Sequence, residues 1–162
     1  YYNLGARFAK WRAVITIGES IPSDACIHAN AHALARYAAL CQDSNIVPIV
    51  EPEVLMDGNH GVEECFNKTS EVIKKCFDEL EKNKIDLSGT ILKPNMILPG
   101  SNSEINIDTK KIAELTLKCL KMSVPSEVPG VAFLSGGQSE FEAAKNLNSI
   151  NKILQIYPLS SE

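Results

Sequence analysis

Charged or hydroxylated residues interrupt four apolar segments of this chain at nearly constant spacing. The first such residues of the four segments are separated by 41, 42 and 42 positions: Lys10, Glu51, Lys93 and Ser135. Three of the segments carry a second polar residue two positions later, on the same face of a strand: Arg12, Glu53 and Asn95. A repeated interval indicates one polar group in each structural unit, and buried amines or carboxylates are costly unless they are paired. We therefore interpret the four segments as parts of one active site.

The stretches around these residues alternate apolar strands with amphipathic helices. Strands are predicted at 8–17, 46–54, 89–97 and 130–134, and helices at 24–42, 62–82, 108–121 and 140–148. Polar residues at the carboxyl ends of parallel strands fit either a doubly wound α/β sheet or a (β/α)₈ TIM barrel. Because barrel strands end around one central mouth, four converging clusters favour the barrel.

The length of the chain limits how much of a barrel it contains. A complete barrel needs ~250 residues, so we expect 162 residues to form one partial domain, 1–162, with about four βα units. Residues 1–5 have the pattern of a helix end with a glycine stop, and no element is assigned to 154–162. The sequence thus predicts a fragment of a longer protein. Candidate helix caps precede three of the helices: Ser23 or Asp24, Asp108 and Ser139.

Composition indicates an ordinary soluble globular protein. Its hydrophobic content is 44%, and a formal net charge of -4 gives nucleic acid no electrostatic reason to bind. The sequence has neither a run of ~18 apolar residues nor a secretory signal pattern. We therefore expect a cytoplasmic protein that binds neither membranes nor nucleic acid.

The cysteine and histidine patterns predict no metal site. Five cysteines without a CxxC spacing, all in helical segments, are typical of reduced, buried thiols. His28 and His32 are four residues apart on a helix, but the sequence offers no third ligand, so we interpret them as helix-face histidines. The charged run at 74–84 is interpreted as a solvated helix face.

Four segments together resemble a known enzyme family: 6–12 (ARFAKWR), 47–53 (VPIVEPE), 89–96 (GTILKPNM) and 133–140 (FLSGGQSE). They resemble the class I fructose-bisphosphate aldolases, and the resemblance runs from residue 1 to about residue 152. It implies a glycolytic enzyme that reversibly cleaves fructose 1,6-bisphosphate into dihydroxyacetone phosphate and glyceraldehyde 3-phosphate. The resemblance also implies a lysine Schiff base, no metal or other cofactor, and a homotetramer of barrels.

The resemblance also implies roles for individual residues. Lys93 corresponds to the lysine that forms the imine, Glu51 to the acid/base acting on the carbinolamine, and Lys10 to a neighbouring second lysine. Arg12 corresponds to a residue near the 6-phosphate of the substrate. The resemblance assigns the loop that holds the 1-phosphate to Ser135, Gly136 and Gly137. The family also uses an aspartate on the first strand, a lysine on an earlier strand and a Gly-Arg pair on the last strand, none of which lies in this chain.

Lys93 and Glu51 have residue types suited to this chemistry. A lysine attacks a ketone only as the neutral amine, whereas a solvated lysine is protonated at neutral pH. For Lys93, burial and the charge of Lys10 would both favour the neutral amine; the alternative is two lysines that face water at the barrel rim. As an iminium, Lys93 would withdraw electrons from the C3–C4 bond of the sugar. Glu51 could donate the proton that releases water from the carbinolamine.

Three other candidates each have a structural alternative. Glu53 is a second candidate catalytic carboxylate, but it could instead pair with Lys10 or Arg12. Arg12 offers a planar fork to a phosphate or serves an internal salt bridge. The Ser-Gly-Gly turn at 135–137 leads into a helix whose first N–H groups suit a phosphate, although it could be an ordinary strand-to-helix turn.

Two other functions compete with fructose-bisphosphate cleavage. Another lysine-imine aldolase, acting on deoxyribose phosphate or on transaldolase substrates, would use the same amine chemistry. The Glu51/Glu53 and 135–137 segments favour the fructose-bisphosphate enzyme. A truncated barrel could also lack catalysis and act only as an interaction module.

Overall fold

Residues 1–156 are described in a computed structural model of the protein, and 157–162 lie outside the described part. Three parallel strands and four helices follow one another within the described residues. The strands are β1 (Phe8–Ile15), β2 (Val47–Val54) and β3 (Ile91–Leu92). The helices are α1 (Asp24–Asp43), α2 (Val62–Lys82), α3 (Thr109–Ser123) and α4 (Glu140–Ile156). Two short 3₁₀ turns, Tyr2–Leu4 and Leu87–Gly89, complete the elements.

The sheet has the order β1-β2-β3, and all its pairs are parallel. The fourth polar segment continues this order, since Leu92 forms a parallel bridge with Val131 and the Ala132 N–H donates to the Leu92 carbonyl at 2.9 Å. Four consecutive strand-helix units therefore lie side by side, as the sequence predicts. Helices α1 and α2 pack on one face of this sheet.

The third and fourth strands are shorter than predicted. Only Ile91 and Leu92 of the predicted strand at 89–97 form a ladder with β2, and Leu87–Gly89 is a 3₁₀ turn instead. Pro94 has no N–H to donate, so the ladder ends within two residues of Leu92. The fourth segment contributes a single bridge at Val131 rather than a strand at 130–134.

The predicted helix caps are confirmed. The Ser23 hydroxyl accepts the Cys26 N–H at 3.2 Å, and Asp108 accepts the Lys111 N–H at 2.7 Å. Each cap satisfies an N–H group that the first helical turn leaves without a partner.

Helix α4 continues to Ile156, eight residues beyond its predicted end at 148. Ile150 explains the extension, because it is 1% exposed and packs in an apolar cluster with Met96 and Leu117. The polar, asparagine-rich sequence before Ile150 did not indicate that this side of α4 is buried.

Alternation along the strands separates the core from the polar side chains. Ala13, Val50 and Leu92 lie in the main apolar cluster with residues of α1 and α2. The residues next to Val50 and Leu92 along the chain, Glu51 and Lys93, point to the opposite face. That face is the inner side of the sheet, where the polar segments meet.

The structure shows the surroundings of all five cysteines and the apolar character of the helices. Four cysteines are buried and all five are free, but Cys26 is exposed in the first turn of α1, so its predicted burial is wrong. Among the described residues, no helix is long and apolar enough to cross a membrane.

Candidate active site

Lys10, Glu51 and Lys93 form one ionic cluster at the inner face of the sheet. Lys93 Nζ lies 2.9 Å from Glu51 Oε1, and Lys10 Nζ lies 2.8 Å from Glu51 Oε2. Glu51 is 3% exposed, so both ammonium groups contact a carboxylate that is almost completely removed from water. Three of the four polar segments are thus brought together.

The sheet register positions these three side chains. Lys10 pairs with Ile49 across the β1–β2 ladder, so its long side chain reaches Glu51 diagonally. Leu92 pairs with Val50, and the Lys93 N–H donates to the Val50 carbonyl at 2.8 Å. Lys93 therefore leaves β3 beside Glu51, where their side chains meet.

The two lysines keep Glu51 ionised. Burial alone raises the pKa of Glu51, but contacts with Lys10 and Lys93 act in the opposite direction, and the net pKa lies below its ordinary value. Glu51 is therefore a carboxylate at neutral pH and can accept a proton before it donates one.

Arg12 and Glu53 form a second ion pair next to this cluster. The Arg12 guanidinium Nε donates to Glu53 Oε2, and Glu53 is buried while Arg12 is largely exposed. The internal salt bridge considered for both residues is therefore present. Within residues 1–156 Glu53 forms no ion pair with a lysine, so Glu51 is the carboxylate beside Lys93.

Formal charges at the site leave one positive charge in excess. Three cationic side chains meet two carboxylates: Lys10, Arg12, Lys93, Glu51 and Glu53. Such a surface attracts an anionic ligand, and the low-dielectric surroundings of the buried carboxylates strengthen that attraction.

Asn95 was predicted to share a face with Lys93, and this prediction is wrong. Its Oδ1 accepts the Val54 N–H at 3.0 Å, and its Nδ2 donates to Thr69 Oγ1 of α2 at 3.0 Å. The backbone after Pro94 leaves the strand conformation, so the two-residue alternation ends there. Asn95 instead ties the end of β2 to α2 behind the site.

The Ser135–Gly137 loop leaves the sheet at the same edge as Lys93. The Leu134 N–H donates to the Pro94 carbonyl at 3.3 Å, and the loop follows directly. Gly136 and Gly137 have φ angles of 61° and 86°, a region that favours glycine. A Cβ on Gly137 would lie 3.0 Å from the Met56 sulfur. Both glycines are therefore required by the shape of the loop.

The loop passes into α4 through a reciprocal cap. The Ser139 N–H donates to Glu142 Oε2 at 3.1 Å, and the Glu142 N–H donates to Ser139 Oγ at 3.3 Å. This cap confirms Ser139 as the residue that caps α4 and fixes the direction in which the first turn of α4 faces the loop.

Sequence reasoning missed two polar residues that support this loop. Gln138 donates through Nε2 to the Ser135 carbonyl at 2.7 Å, and Asn146 donates through Nδ2 to Gln138 Oε1 at 2.7 Å. Asn146 is 4% exposed and lies four residues before buried Ile150, one turn away on the same stripe of α4. A polar residue on a buried helical stripe is the signal that could have identified it.

Glu79 corrects the prediction that the charged run at 74–84 faces solvent throughout. This α2 carboxylate is buried, and it contacts His32 Nδ1 at 3.1 Å, His28 Nδ1 at 3.6 Å and Lys82 Nζ at 2.9 Å. Contacts with Lys82 and His32 lower the pKa of Glu79 to about 2. The two histidines therefore serve a packing contact between α1 and α2. Within residues 1–156, no group of three or more metal-ligating side chains is arranged to hold an ion.

Comparison with known proteins shows the class to which this fold and site belong. The sequence model described as "Fructose-bisphosphate aldolase class-I" matches residues 1–160. A protein of Xanthomonas campestris pv. campestris named "Probable fructose-bisphosphate aldolase class 1" is 51% identical over 161 residues, which are 99% of this chain and 48% of the relative. "Fructose-bisphosphate aldolase 4, cytosolic" of Arabidopsis thaliana is 52% identical over 153 residues, 94% of this chain and 39% of the relative.

A solved structure shows the same fold. Fructose-bisphosphate aldolase from Plasmodium falciparum, solved in complex with TRAP and a small-molecule inhibitor, superimposes with a TM-score of 0.92 at 48% identity. The superposition covers 94% of this chain and 44% of that one. The predicted fold, about four βα units of a TIM barrel, is confirmed.

The chain belongs to the class I fructose-bisphosphate aldolase family. It spans about half the length of the curated relatives it matches.

Proposed function

We propose that the full-length protein carrying this chain cleaves fructose 1,6-bisphosphate reversibly through a Schiff base on Lys93. The supporting observation is the contact of both Lys93 and Lys10 with the buried carboxylate of Glu51. A nucleophilic amine, an acid/base within hydrogen-bond reach and a second ammonium group are the parts that imine formation requires. Family membership favours this reaction over other lysine-imine aldolases.

Proton transfer between Lys93 and Glu51 prepares the nucleophile. The Lys93 ammonium passes a proton to Oε1 of Glu51, which gives a neutral amine and a carboxylic acid at the same site. The amine attacks C2 of the open-chain ketose, and after proton transfer a neutral carbinolamine remains. Glu51 then donates its proton to the C2 hydroxyl, which leaves as water, and Lys93 becomes an iminium.

The iminium on Lys93 then serves as the electron sink for cleavage. Glu51, a carboxylate again once water has left, takes the proton of the C4 hydroxyl. The C3–C4 bond then breaks, its electron pair becomes the C2–C3 double bond of the enamine, the C2–N π pair returns to the Lys93 nitrogen, and glyceraldehyde 3-phosphate departs. Protonation of the enamine at C3 and hydrolysis of the resulting imine release dihydroxyacetone phosphate. Lys10 stabilises the Glu51 carboxylate during these steps by its contact with Oε2.

Two positions in the described structure suit the phosphates of the substrate. The loop of Ser135, Gly136 and Gly137 and the first turn of α4 offer backbone N–H groups to the 1-phosphate. Arg12, fixed at Nε by Glu53, can direct its other guanidinium N–H groups toward the 6-phosphate. The excess positive charge of the site favours both anionic ends of the substrate.

We also propose that the full-length protein is a homotetramer in the cytoplasm. The support is family membership and plant relatives whose names place them in the cytosol. Light scattering coupled to size exclusion gives the oligomeric state directly, and a monomer or dimer would contradict the tetramer. Fractionation of cells would contradict the location if the protein were found in an organelle.

Cleavage assays on the full-length polypeptide test the proposal. We expect triose phosphates from fructose 1,6-bisphosphate, loss of activity in Lys93→Ala, and unchanged activity in Lys121→Ala, whose lysine is exposed on α3. Activity should survive a chelator, because no step uses a metal. Cleavage of deoxyribose phosphate alone would support the alternative aldolase, and a folded protein that cleaves neither sugar would support the interaction module.

A further inference from the structure

Gln138 is the residue that closes the Ser135–Gly137 loop onto itself. Its backbone N–H donates to the Ser135 carbonyl at 3.2 Å, and its side-chain Nε2 donates to the same carbonyl at 2.7 Å. Both lone pairs of that carbonyl are thus occupied from within the protein. The peptide between Ser135 and Gly136 is held in one orientation, with its carbonyl turned toward Gln138.

Asn146 holds the Gln138 amide in the orientation that the Ser135 carbonyl requires. Its Nδ2 group donates to Gln138 Oε1 at 2.7 Å, so the oxygen of the Gln138 amide must face α4 and the nitrogen must face Ser135. Asn146 is almost completely buried and therefore cannot exchange this partner for bulk water without cost. Rotation of the Gln138 amide would place two donors together at Asn146 and two acceptors together at Ser135.

We propose that Gln138 and Asn146 are positioning residues that hold the Ser135–Gly137 loop ready for the substrate's phosphate. This inference rests on the proposed function, in which that loop receives the 1-phosphate. Two consecutive glycines give the loop wide conformational freedom, and a freely moving loop must be ordered when the ligand binds. The Asn146–Gln138–Ser135 chain of hydrogen bonds removes that freedom before the phosphate arrives.

A comparison of two ketones in the full-length protein tests the proposal. Dihydroxyacetone phosphate and dihydroxyacetone form the same imine but differ in the phosphate, and borohydride traps each imine covalently. We would measure the ketone concentration that gives half-maximal trapping in the unmutated protein, Gln138→Met, Asn146→Leu and the double variant. Asn148→Leu is the matched control, since Asn148 is an exposed asparagine on the same helix.

For dihydroxyacetone phosphate, the half-maximal concentration should rise about 5- to 30-fold in each single variant, the usual effect of a lost hydrogen bond. For dihydroxyacetone it should change less than about twofold, because no phosphate contact is lost. The double variant should resemble the single ones, since Asn146 acts only through Gln138. Asn148→Leu should match the unmutated protein. If Asn146→Leu fails to fold, the two ketones are compared in Gln138→Met alone, because Gln138 is only half-buried.

Equal effects on the two ketones, or no effect on the phosphorylated one, would overturn the positioning role. Additive effects in the double variant would show that Asn146 does not act through Gln138. If the unmutated protein forms no trapped adduct, the Schiff-base function fails, and calorimetric binding of dihydroxyacetone phosphate then tests the loop separately. Equal affinities of the unmutated protein and Gln138→Met in that experiment would overturn the inference independently.

Discussion

Lys93 Nζ lies 2.9 Å from Glu51 Oε1; Glu51 is on β2, and Lys93 directly follows the neighbouring parallel strand β3. A proton can therefore pass between the proposed nucleophile and its proposed acid/base without movement of either strand. The opposite oxygen of Glu51 contacts Lys10 at 2.8 Å, so the carboxylate is held on both sides. The proposed proton transfers depend on this arrangement.

Replacing Glu51 with Gln should lower turnover by ~10²–10⁴-fold, the usual contribution of general acid–base catalysis. Glutamine keeps the shape of the side chain but cannot accept the Lys93 proton or return it to the carbinolamine. Steady-state assays of the full-length protein give the effect, and slow imine trapping should persist because Lys93 remains. Glu63→Gln, an exposed carboxylate on α2, is the control. Full turnover in Glu51→Gln would assign the acid/base to Glu53 or to a residue outside this chain.

Replacing Arg12 with Gln should weaken binding of the bisphosphate more than binding of fructose 1-phosphate. A charged hydrogen bond contributes about 1.5–3 kcal/mol, which corresponds to an increase in KM of about 10- to 100-fold. Fructose 1-phosphate lacks the 6-phosphate, so its KM should remain nearly constant. If both substrates were affected equally, Arg12 would serve only its salt bridge with Glu53.

Spacing and alternation predicted much of the fold and the centre of the site. Regular strands kept Lys10 and Glu51 on one face, and the interval of 42 positions placed Lys93 at the end of the next strand. Prediction from alternation was wrong at Asn95, because Pro94 ends the ladder and the period of two applies only within a strand. The burial of Glu79 could not be predicted from local sequence either, since its partners on α1 are 47 and 51 positions away.

Replacing Asn95 with Leu should destabilise the full-length protein by about 1–3 kcal/mol, because the buried Val54 N–H and Thr69 hydroxyl would lose their partner. Urea unfolding followed by circular dichroism measures this change. Asn102→Leu provides the control, because Asn102 is exposed in the loop after β3. A stability equal to that of the unmutated protein would mean that water or another group replaces the amide.

Glu79 should make stability depend on pH in the acid range. Its pKa is about 2 in the folded protein and near ~4.3 when unfolded. The stabilisation is therefore complete above the unfolded value and is lost as pH falls through it toward 2. Glu79→Gln should melt several degrees lower than the unmutated protein at pH 7, and the two should converge near pH 2. A difference that is constant with pH, or equal in Glu81→Gln, would contradict this role.

The site of covalent trapping tests most directly whether Lys93 forms the Schiff base. The full-length protein would be treated with dihydroxyacetone phosphate and borohydride, digested, and mapped by mass spectrometry. We predict one reduced adduct, on Lys93, which disappears in Lys93→Ala and is unaffected in Lys121→Ala. An adduct on Lys10 with Lys93 unmodified would contradict the assignment of the Schiff base to Lys93.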